Sequence, residues 1–301
     1  MNRLQANICI FTVLFCWAFE GVLLKNMPAQ VPSIAITTWA NCIGFVLMFV
    51  IFFKRLKQNF SQNLFYLVLV LAFLNLIYNL FFIEGIRHLT TEVSFFASTE
   101  DLVAMPLVLL FFREKSPWQV WAGIAVVMFG IALSLDWSFP LEQTKGLLIM
   151  GAYAILRDLY IIRLADLSRK FDVFAIAALM QGQEGFLSLL LWLGTEPESI
   201  FTMEYSPIFW ASIFALVYFT YIFALVISTF AQKYVSALVT ASIYALYPAV
   251  CFILVLSLPV ILTIEIELTV LSVCSCILVT LGALCCGIDW RKTQPIPEEG
   301  S

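Results

Sequence analysis

The stretch TTEVSFFASTEDLVAMPLVLLFF, residues 90–112, combines two properties that rarely occur together. It is apolar over more than twenty residues, which is the length that a helix needs to cross the roughly 30 Å hydrocarbon core of a membrane. It also carries Glu100 and Asp101 side by side, although a charge at the centre of a membrane helix costs roughly 2.5–3.5 kcal/mol. The stretch therefore predicts a membrane helix whose carboxylates serve a function.

The rest of the chain extends this pattern. Of its 301 residues, 62% are hydrophobic and 12% are charged, whereas soluble domains carry about a quarter charged residues. Apolar runs of membrane-spanning length recur ten times, so we expect an all-α integral membrane protein with the lipid bilayer as its surroundings. The runs are 6–25, 33–53, 64–84, 91–112, 117–135, 146–163, 174–193, 208–230, 236–258 and 267–288.

The basic residues predict the orientation. With the N-terminus in the cytoplasm, twelve Lys and Arg residues face the cytoplasm and only Lys25, Arg87 and Lys145 face outward, as the positive-inside rule requires. Both termini are therefore expected inside. Short polar connectors and the helix count favour the plasma membrane, that is, the inner cell membrane of bacterial type. The polar tail, residues 289–301, is expected to be cytoplasmic and disordered.

Two halves of the chain resemble each other. The interval from Ser94 to Pro106 equals that from Ser236 to Pro248, and each begins a helix and ends at a mid-helix proline. Because five is an odd number of crossings, consecutive copies must insert with opposite orientation. We therefore expect ten transmembrane helices as two inverted five-helix repeats, residues 1–140 and 141–288. Inverted repeats build alternating-access transporters whose site lies at the midplane.

The sequence resembles the drug/metabolite transporter (DMT) superfamily in its EamA-like branch, over nearly the whole chain. Pro106 and Pro248 match the family's prolines in helices 4 and 9, Glu114 its acidic residue before helix 5, and Trp17 its aromatic residue in helix 1. The resemblance implies transport of small metabolites, inward or outward. The matching stretches are FCWAFEGVLLK (15–25), IEGIRHLTTEVSFFAS (83–98), MPLVLLFFREKSPWQVWAGIAVVMFGIAL (105–133), GAYAILRDLYIIR (151–163) and FAQKYVSALVTASIYALYPAVCFILV (230–255).

This chain departs from the family at several positions. Glu20, Glu100 and Asp101 stand where the family usually has small or neutral residues. The connector SLPVILTIEIE, residues 257–267, is extended, and the second half has no clear equivalent of Glu114. The departures therefore concentrate on acidic residues at membrane depth.

Carboxylates outnumber cations at membrane depth. The ionisable residues there are Glu20, Glu92, Glu100, Asp101, Arg157, Asp158 and Glu184. Arg157 paired with Glu100 or Asp101 would be a structural ion pair, and Glu92 suits a water-facing helix end. One arginine does not neutralise the remaining acids, so the surplus must bind a proton or another cation. We expect Glu20, Glu100 or Asp101 to serve as the proton-exchanging carboxylate of a coupled transporter.

These residues define a candidate substrate and proton site. In our hypothesis Glu100 and Asp101 receive the amino group of a cationic or zwitterionic solute, and Arg157 receives its carboxylate. Lipid-facing or packing roles are the alternative for each aromatic residue. Asn75 and Asn79 share a helix face, and an interhelical hydrogen bond is the alternative for them and for Gln181, Gln183 and Glu184. Packing kinks are the alternative to hinges at Pro106 and Pro248. The predicted site is Glu20, Glu100, Asp101, Arg157, Asp158, Trp17, Tyr78, Asn79, Tyr153 and Tyr244. Further candidates are Trp39, Asn75, Gln181, Gln183, Glu184, Tyr221 and Tyr247.

Other classes of protein receive less support. A net charge of −4 offers no basic surface for nucleic acid, and a single histidine, His88, excludes a histidine metal cluster. Motifs of metalloproteases, serine hydrolases and nucleotide-binding enzymes do not occur, so we expect neither enzymatic activity nor a cofactor. An exchanger of S-adenosylmethionine or a drug-like cation remains an alternative, as does a membrane enzyme without a recognisable motif. The sequence carries no signal for an oligomeric state.

Overall fold

The computed structural model describes residues 3–28, 30–111, 117–134, 141–257 and 269–287. Every regular element in these ranges is a helix. The helices are α1 (Arg3–Asn26), α2 (Ser33–Asn59), α3 (Gln62–Arg87), α4 (Thr91–Ala97), α5 (Glu100–Phe111), α6 (Trp118–Ser134), α7 (Leu141–Lys170), α8 (Val173–Thr195), α9 (Ser199–Thr202), α10 (Pro207–Leu216), a π-helical segment (Val217–Ala224), α11 (Leu225–Ala231), α12 (Ala237–Tyr244), α13 (Tyr247–Ser257) and α14 (Val270–Gly287).

Each of the ten predicted apolar runs falls on a helical stretch. In the described ranges, six stretches are both long and apolar enough to cross a membrane: Leu4–Lys25, Ser33–Asn59, Gln62–Arg87, Val173–Thr195, Pro207–Ala231 and Ala237–Ser257. The four other predicted crossings are interrupted (α4 with α5), more charged (α7) or shorter (α6 and α14). The chain is therefore a multi-pass helical membrane protein.

Two of the predicted helices are interrupted. The run 91–112 breaks at Ser98 and Thr99, whose hydroxyls donate to the carbonyls of Ser94 (2.9 Å) and Phe96 (2.6 Å). Such bonds offer the backbone an alternative to a continuous helix. This interruption lies ahead of Pro106, which is inside α5. In the first half of the chain, the helix break at Ser98 and Thr99 is therefore separate from Pro106.

The second interruption separates α12 from α13 at Ala245 and Leu246. Pro248 is the second residue of α13, in the first turn, where the missing N–H of a proline breaks no intrahelical bond. Pro248 therefore lies directly at a helix break. The hinge role of both prolines stays a prediction.

The α6–α14 pair packs through glycines. A Cβ atom on Gly123 would lie 2.7 Å from the carbonyl oxygen of Gly282, and a Cβ on Gly282 would lie 2.6 Å from that of Gly123. Small residues at such positions let two membrane helices approach backbone to backbone, where van der Waals contact replaces the missing hydrophobic driving force. The other extensive pairings are α2 with α8 and α3 with α7.

The variant Gly282→Ala is expected to destabilise the protein by about 1–3 kcal/mol, because the added methyl group meets backbone that does not rotate away. The thermal unfolding midpoint in detergent measures this. Gly194→Ala is the matched control, since nothing lies within 4 Å of a Cβ there. Equal midpoints for the two variants would contradict the proposed glycine contact.

Candidate functional site

A cavity opens near the middle of the helices. It contains about 610 Å³ of empty space, with solvent at its mouth included. Asn75, Arg157 and Gln181 lie close to the midpoints of α3, α7 and α8, so the cavity is at mid-membrane depth. Its lining residues come from both halves of the chain: Trp17, Glu20, Asn75, Tyr78, Asn79, Phe82, Tyr153, Arg157, Tyr160, Gln181, Thr220, Tyr221, Leu225 and Tyr247.

Aromatic rings surround the guanidinium of Arg157. Its Cζ lies 4.5 Å from the ring centroid of Trp17, 5.0 Å from that of Tyr244 and 5.5 Å from that of Tyr153. An Nη atom also donates to the hydroxyl of Tyr153. A cation over an aromatic face gains about 0.5–2 kcal/mol, with the larger values where water is excluded. These rings therefore compensate part of the cost of burying Arg157, which is only 7% exposed.

Two asparagines hold Glu184. The Nδ2 of Asn79 donates to one carboxylate oxygen at 3.0 Å, and the Nδ2 of Asn75 donates to the other. Residues four apart on a helix share a face, so α3 presents both amides to the same carboxylate on α8. Glu184 is fully buried, and these bonds satisfy an oxygen each. The sequence placed Asn75 and Asn79 on one helix face and allowed an interhelical hydrogen bond, but it did not identify Glu184 as their shared partner.

Glu20 has a different environment. It lines the cavity at 9% exposure, and none of the described residues donates a hydrogen bond to it. Its nearest charged influences are Arg157 and Glu184. Its neighbour Gly21 admits Tyr247, because a Cβ atom there would overlap the tyrosine hydroxyl. Glu20 is therefore the cavity carboxylate that is open to a ligand.

Six of the ten predicted site residues line the cavity: Trp17, Glu20, Tyr78, Asn79, Tyr153 and Arg157. Tyr244 contacts the ring of Trp17 at 4.6 Å and the guanidinium of Arg157 from outside the described lining. Asp158 is fully buried beside Arg157 in the chain but is also absent from the described lining. Pro106 and Pro248 likewise belong to the helices rather than to the described lining.

Some predicted features fall outside what the structure describes. Glu100 and Asp101 begin α5, but their side chains lie outside the described part. Glu114 and the tail 289–301 are also outside the described residues. The cavity also contains lining residues that were not in the predicted site. Asn75, Gln181, Tyr221 and Tyr247 had a sequence signal as polar or aromatic residues in apolar helices. Phe82, Tyr160, Thr220 and Leu225 were not among the candidates.

Comparison with known proteins supports the resemblance seen in the sequence. The model of the EamA-like transporter family matches residues 4–135. This match, over the first part of the chain, bears out the resemblance to the EamA-like branch of the DMT superfamily, whose members are membrane transporters of small molecules.

The fold also matches a solved structure. A protein described only as "Crystal structure of protein" aligns with a TM-score of 0.72 at 17% sequence identity, covering 97% of this chain and 100% of that one. At this identity the likeness shows a common fold. A search of the curated proteins finds no match.

Replacing Asn79 by alanine is expected to lower the free energy of unfolding by about 1–3 kcal/mol, because one oxygen of the buried Glu184 loses its donor. Denaturation followed by tryptophan fluorescence measures this. Asn59→Ala is the control, since the Asn59 amide bonds the carbonyl of Arg55 at an exposed helix end. A loss of stability in Asn59→Ala as large as that in Asn79→Ala would count against the role given to Glu184.

Proposed function

We propose that the protein is a secondary active transporter that moves small amine-bearing solutes, cationic or zwitterionic, by alternating access. The observation that carries this proposal is the mid-membrane cavity lined by Glu20 and Arg157, with Glu184 buried beside the lining residues Asn75 and Asn79. Among the described residues, two carboxylates thus lie in or next to the cavity, and Arg157 is the cation that lines it. An excess of carboxylates at membrane depth favours a positively charged occupant. The substrate's amine would lie against Glu20, and a substrate carboxylate would meet Arg157.

The helix contacts support two inverted five-helix repeats. We number the proposed crossings 1 to 10 in chain order. Crossings 1, 2 and 3 are α1, α2 and α3, crossing 4 is α4–α5, and crossing 5 is α6. Crossing 6 is α7, crossing 7 is α8, crossing 8 is Pro207–Ala231, crossing 9 is α12–α13 and crossing 10 is α14. A twofold axis that exchanges crossing n with n + 5 turns contact 1–8 into 6–3 and contact 4–6 into 9–1. All four contacts are present.

Two further contacts, 2–7 and 5–10, map onto themselves under the same operation and are among the most extensive in the protein. In this arrangement α1 and α7 are equivalent, and they contribute Glu20 and Arg157 to the same cavity. Rocking of one repeat against the other would expose that cavity to each side in turn.

Coupling to protons follows from the environment of Glu20. A buried carboxylate without a hydrogen bond is costly as a bare anion, so it favours a bound proton or a bound cation. A solute cation and a proton would therefore compete for the same carboxylate. This competition is the simplest basis for exchange of protons against solute.

Glu20→Gln is expected to abolish solute-driven proton flux while the protein remains folded, because an amide offers neither a negative charge nor an exchangeable proton. The test uses proteoliposomes with a trapped pH dye and an imposed proton gradient, challenged with amino acids, polyamines, S-adenosylmethionine and neutral metabolites. The matched control is Glu204→Gln, an exposed acid in the α9–α10 connector.

Full flux in Glu20→Gln would overturn the role of Glu20. Uptake of a labelled solute without any proton flux in the unmodified protein would identify a facilitator instead. Flux or uptake restricted to neutral metabolites would contradict the amine-bearing substrate class.

We further propose that the protein resides in the plasma membrane with both termini in the cytoplasm, on the strength of its basic-residue asymmetry. A cysteine introduced at the exposed position Glu198, in the α8–α9 connector, should react with a membrane-impermeant maleimide on intact cells. One introduced at Gln58, at the exposed end of α2, should react only after permeabilisation. Labelling of the native cysteines in the parent protein provides the baseline. Labelling at position 58 on intact cells, with labelling at position 198 only after permeabilisation, would show the opposite orientation.

A further inference from the structure

Three residues that line the mid-membrane cavity carry acceptor groups that receive no hydrogen bond from the described residues. These groups are the carboxylate of Glu20, Oε1 of Gln181 and Oγ1 of Thr220. The three residues are 9%, 1% and 8% exposed and come from α1, α8 and the π-helical segment. A buried acceptor without a donor costs about 1–3 kcal/mol. A ligand that donates to all three would remove that cost.

Thr220 differs from other hydroxyls of its own crossing. Ser228 and Thr229 both return their hydroxyls to the carbonyl of Leu225, at 3.0 Å and 2.6 Å. Thr220 lies within Val217–Ala224, where the backbone is π-helical, a rare conformation that occurs frequently at functional sites. Thr220 therefore lines the cavity with a hydroxyl that has no hydrogen-bond partner among the described residues.

Glu20 differs in the same way from Glu184, the carboxylate that is buried beside the lining residues Asn75 and Asn79. Both oxygens of Glu184 accept from asparagine amides, so its hydrogen-bonding capacity is largely used within the protein. Gln181 lies one turn before Glu184 on α8, and its Oε1 approaches Gly44, where a Cβ atom would come within 2.7 Å of it. The absence of a side chain at Gly44 thus leaves room for this amide.

The aromatic rings around Arg157 are already engaged, because Trp17, Tyr153 and Tyr244 surround its guanidinium. Three further lining rings pack against Tyr153 or against one another: Tyr78, Phe82 and Tyr160. A quaternary ammonium donates no hydrogen bond and would leave the three acceptors unsatisfied. A primary ammonium carries three N–H donors, as the lysine side chain does, and matches the three acceptors.

We infer that Glu20, Gln181 and Thr220 together receive the primary ammonium group of the solute and select against N-methylated amines. This inference rests on the proposed transport function and narrows its substrate class. Each N-methylation removes one donor and leaves one buried acceptor unsatisfied. Binding affinity should therefore fall stepwise as methyl groups are added to the amine.

The experiment measures binding to the purified full chain in nanodiscs by ligand-dependent thermal shift and calorimetry. Two series serve as probes: benzylamine to benzyltrimethylammonium, and ethanolamine to choline, each in steps of one methyl group. In at least one series the primary amine should bind at least about tenfold more tightly than its quaternary analogue, since one lost buried hydrogen bond accounts for that factor. Equal or tighter binding of the quaternary amines in both series, or binding of no amine at all, would overturn the inference.

Variants distinguish recognition from a structural role. Thr220→Val should reduce the ratio of primary to quaternary affinity by about three- to tenfold, because one acceptor of the ammonium is gone. Thr229→Val is the matched control on the same crossing, because the Thr229 hydroxyl already donates to the carbonyl of Leu225. A ratio unchanged in Thr220→Val, or changed equally in both variants, would overturn the assignment.

Two outcomes separate this inference from the proposed function. If solute-driven flux depends on Glu20 but does not distinguish methylated from primary amines, the transporter proposal stands and the ammonium site fails. A second outcome is that sodium chloride without any amine raises the unfolding temperature more than potassium chloride does, with the difference lost on substitution of Glu20, Gln181 or Thr220. In that case the site belongs to an inorganic cation and the inference is overturned. Transport confined to neutral solutes would remove both proposals.

Discussion

The cost of burying charge in a membrane governs the interior of this protein. A carboxylate or guanidinium at mid-membrane depth must be hydrogen-bonded, paired, surrounded by compensating dipoles or neutralised. Glu184 is compensated by Asn75 and Asn79, and Arg157 is compensated in part by three aromatic rings. Glu20 receives no comparable hydrogen bond from the described residues. Two of these three buried charges are thus compensated within the described residues, and Glu20 is the one for which we propose an external partner.

The backbone around the cavity is adapted to the same constraint. In lipid, irregular backbone is tolerated only where it is buried in protein or lines a water-filled cavity. The π-helical segment Val217–Ala224 contributes Thr220 and Tyr221 to the lining, and Tyr247 enters it directly after the break between α12 and α13. Irregular backbone therefore occurs where polar groups face a cavity. Continuous helices such as α2 and α6 present apolar side chains to their surroundings.

Close helix packing supplies the frame for this cavity. The α6–α14 pair uses Gly123 and Gly282 to bring two backbones together, whereas Gly21 and Gly44 are used differently. Those two glycines leave room for Tyr247 and Gln181 beside the cavity. The same residue type thus joins helices at one place and opens space for functional side chains at another, and only the neighbours in three dimensions distinguish the two uses.

The sequence by itself determined the helical membrane class, the approximate helix boundaries and the resemblance to the EamA-like family, because hydrophobic length and local composition are encoded in consecutive residues. It also identified individual charged and aromatic residues, since a charge in an apolar run is visible without any structure. It gave most weight to Glu100 and Asp101, whereas the described lining of the cavity contains Glu20 and Arg157, with Glu184 bonded to the lining residues Asn75 and Asn79.

Only the tertiary structure decided how the side chains associate. Glu184 meets Asn79 across 105 residues of sequence, and Trp17 meets Tyr244 across two halves of the chain. Helix breaks at Ser98 and Ala245 and the π-helical segment were likewise not evident from the apolar pattern, which is unchanged through all three. Hydrophobic periodicity reports whether a helix is buried, but the partner of a polar group depends on which helices pack together and in what register.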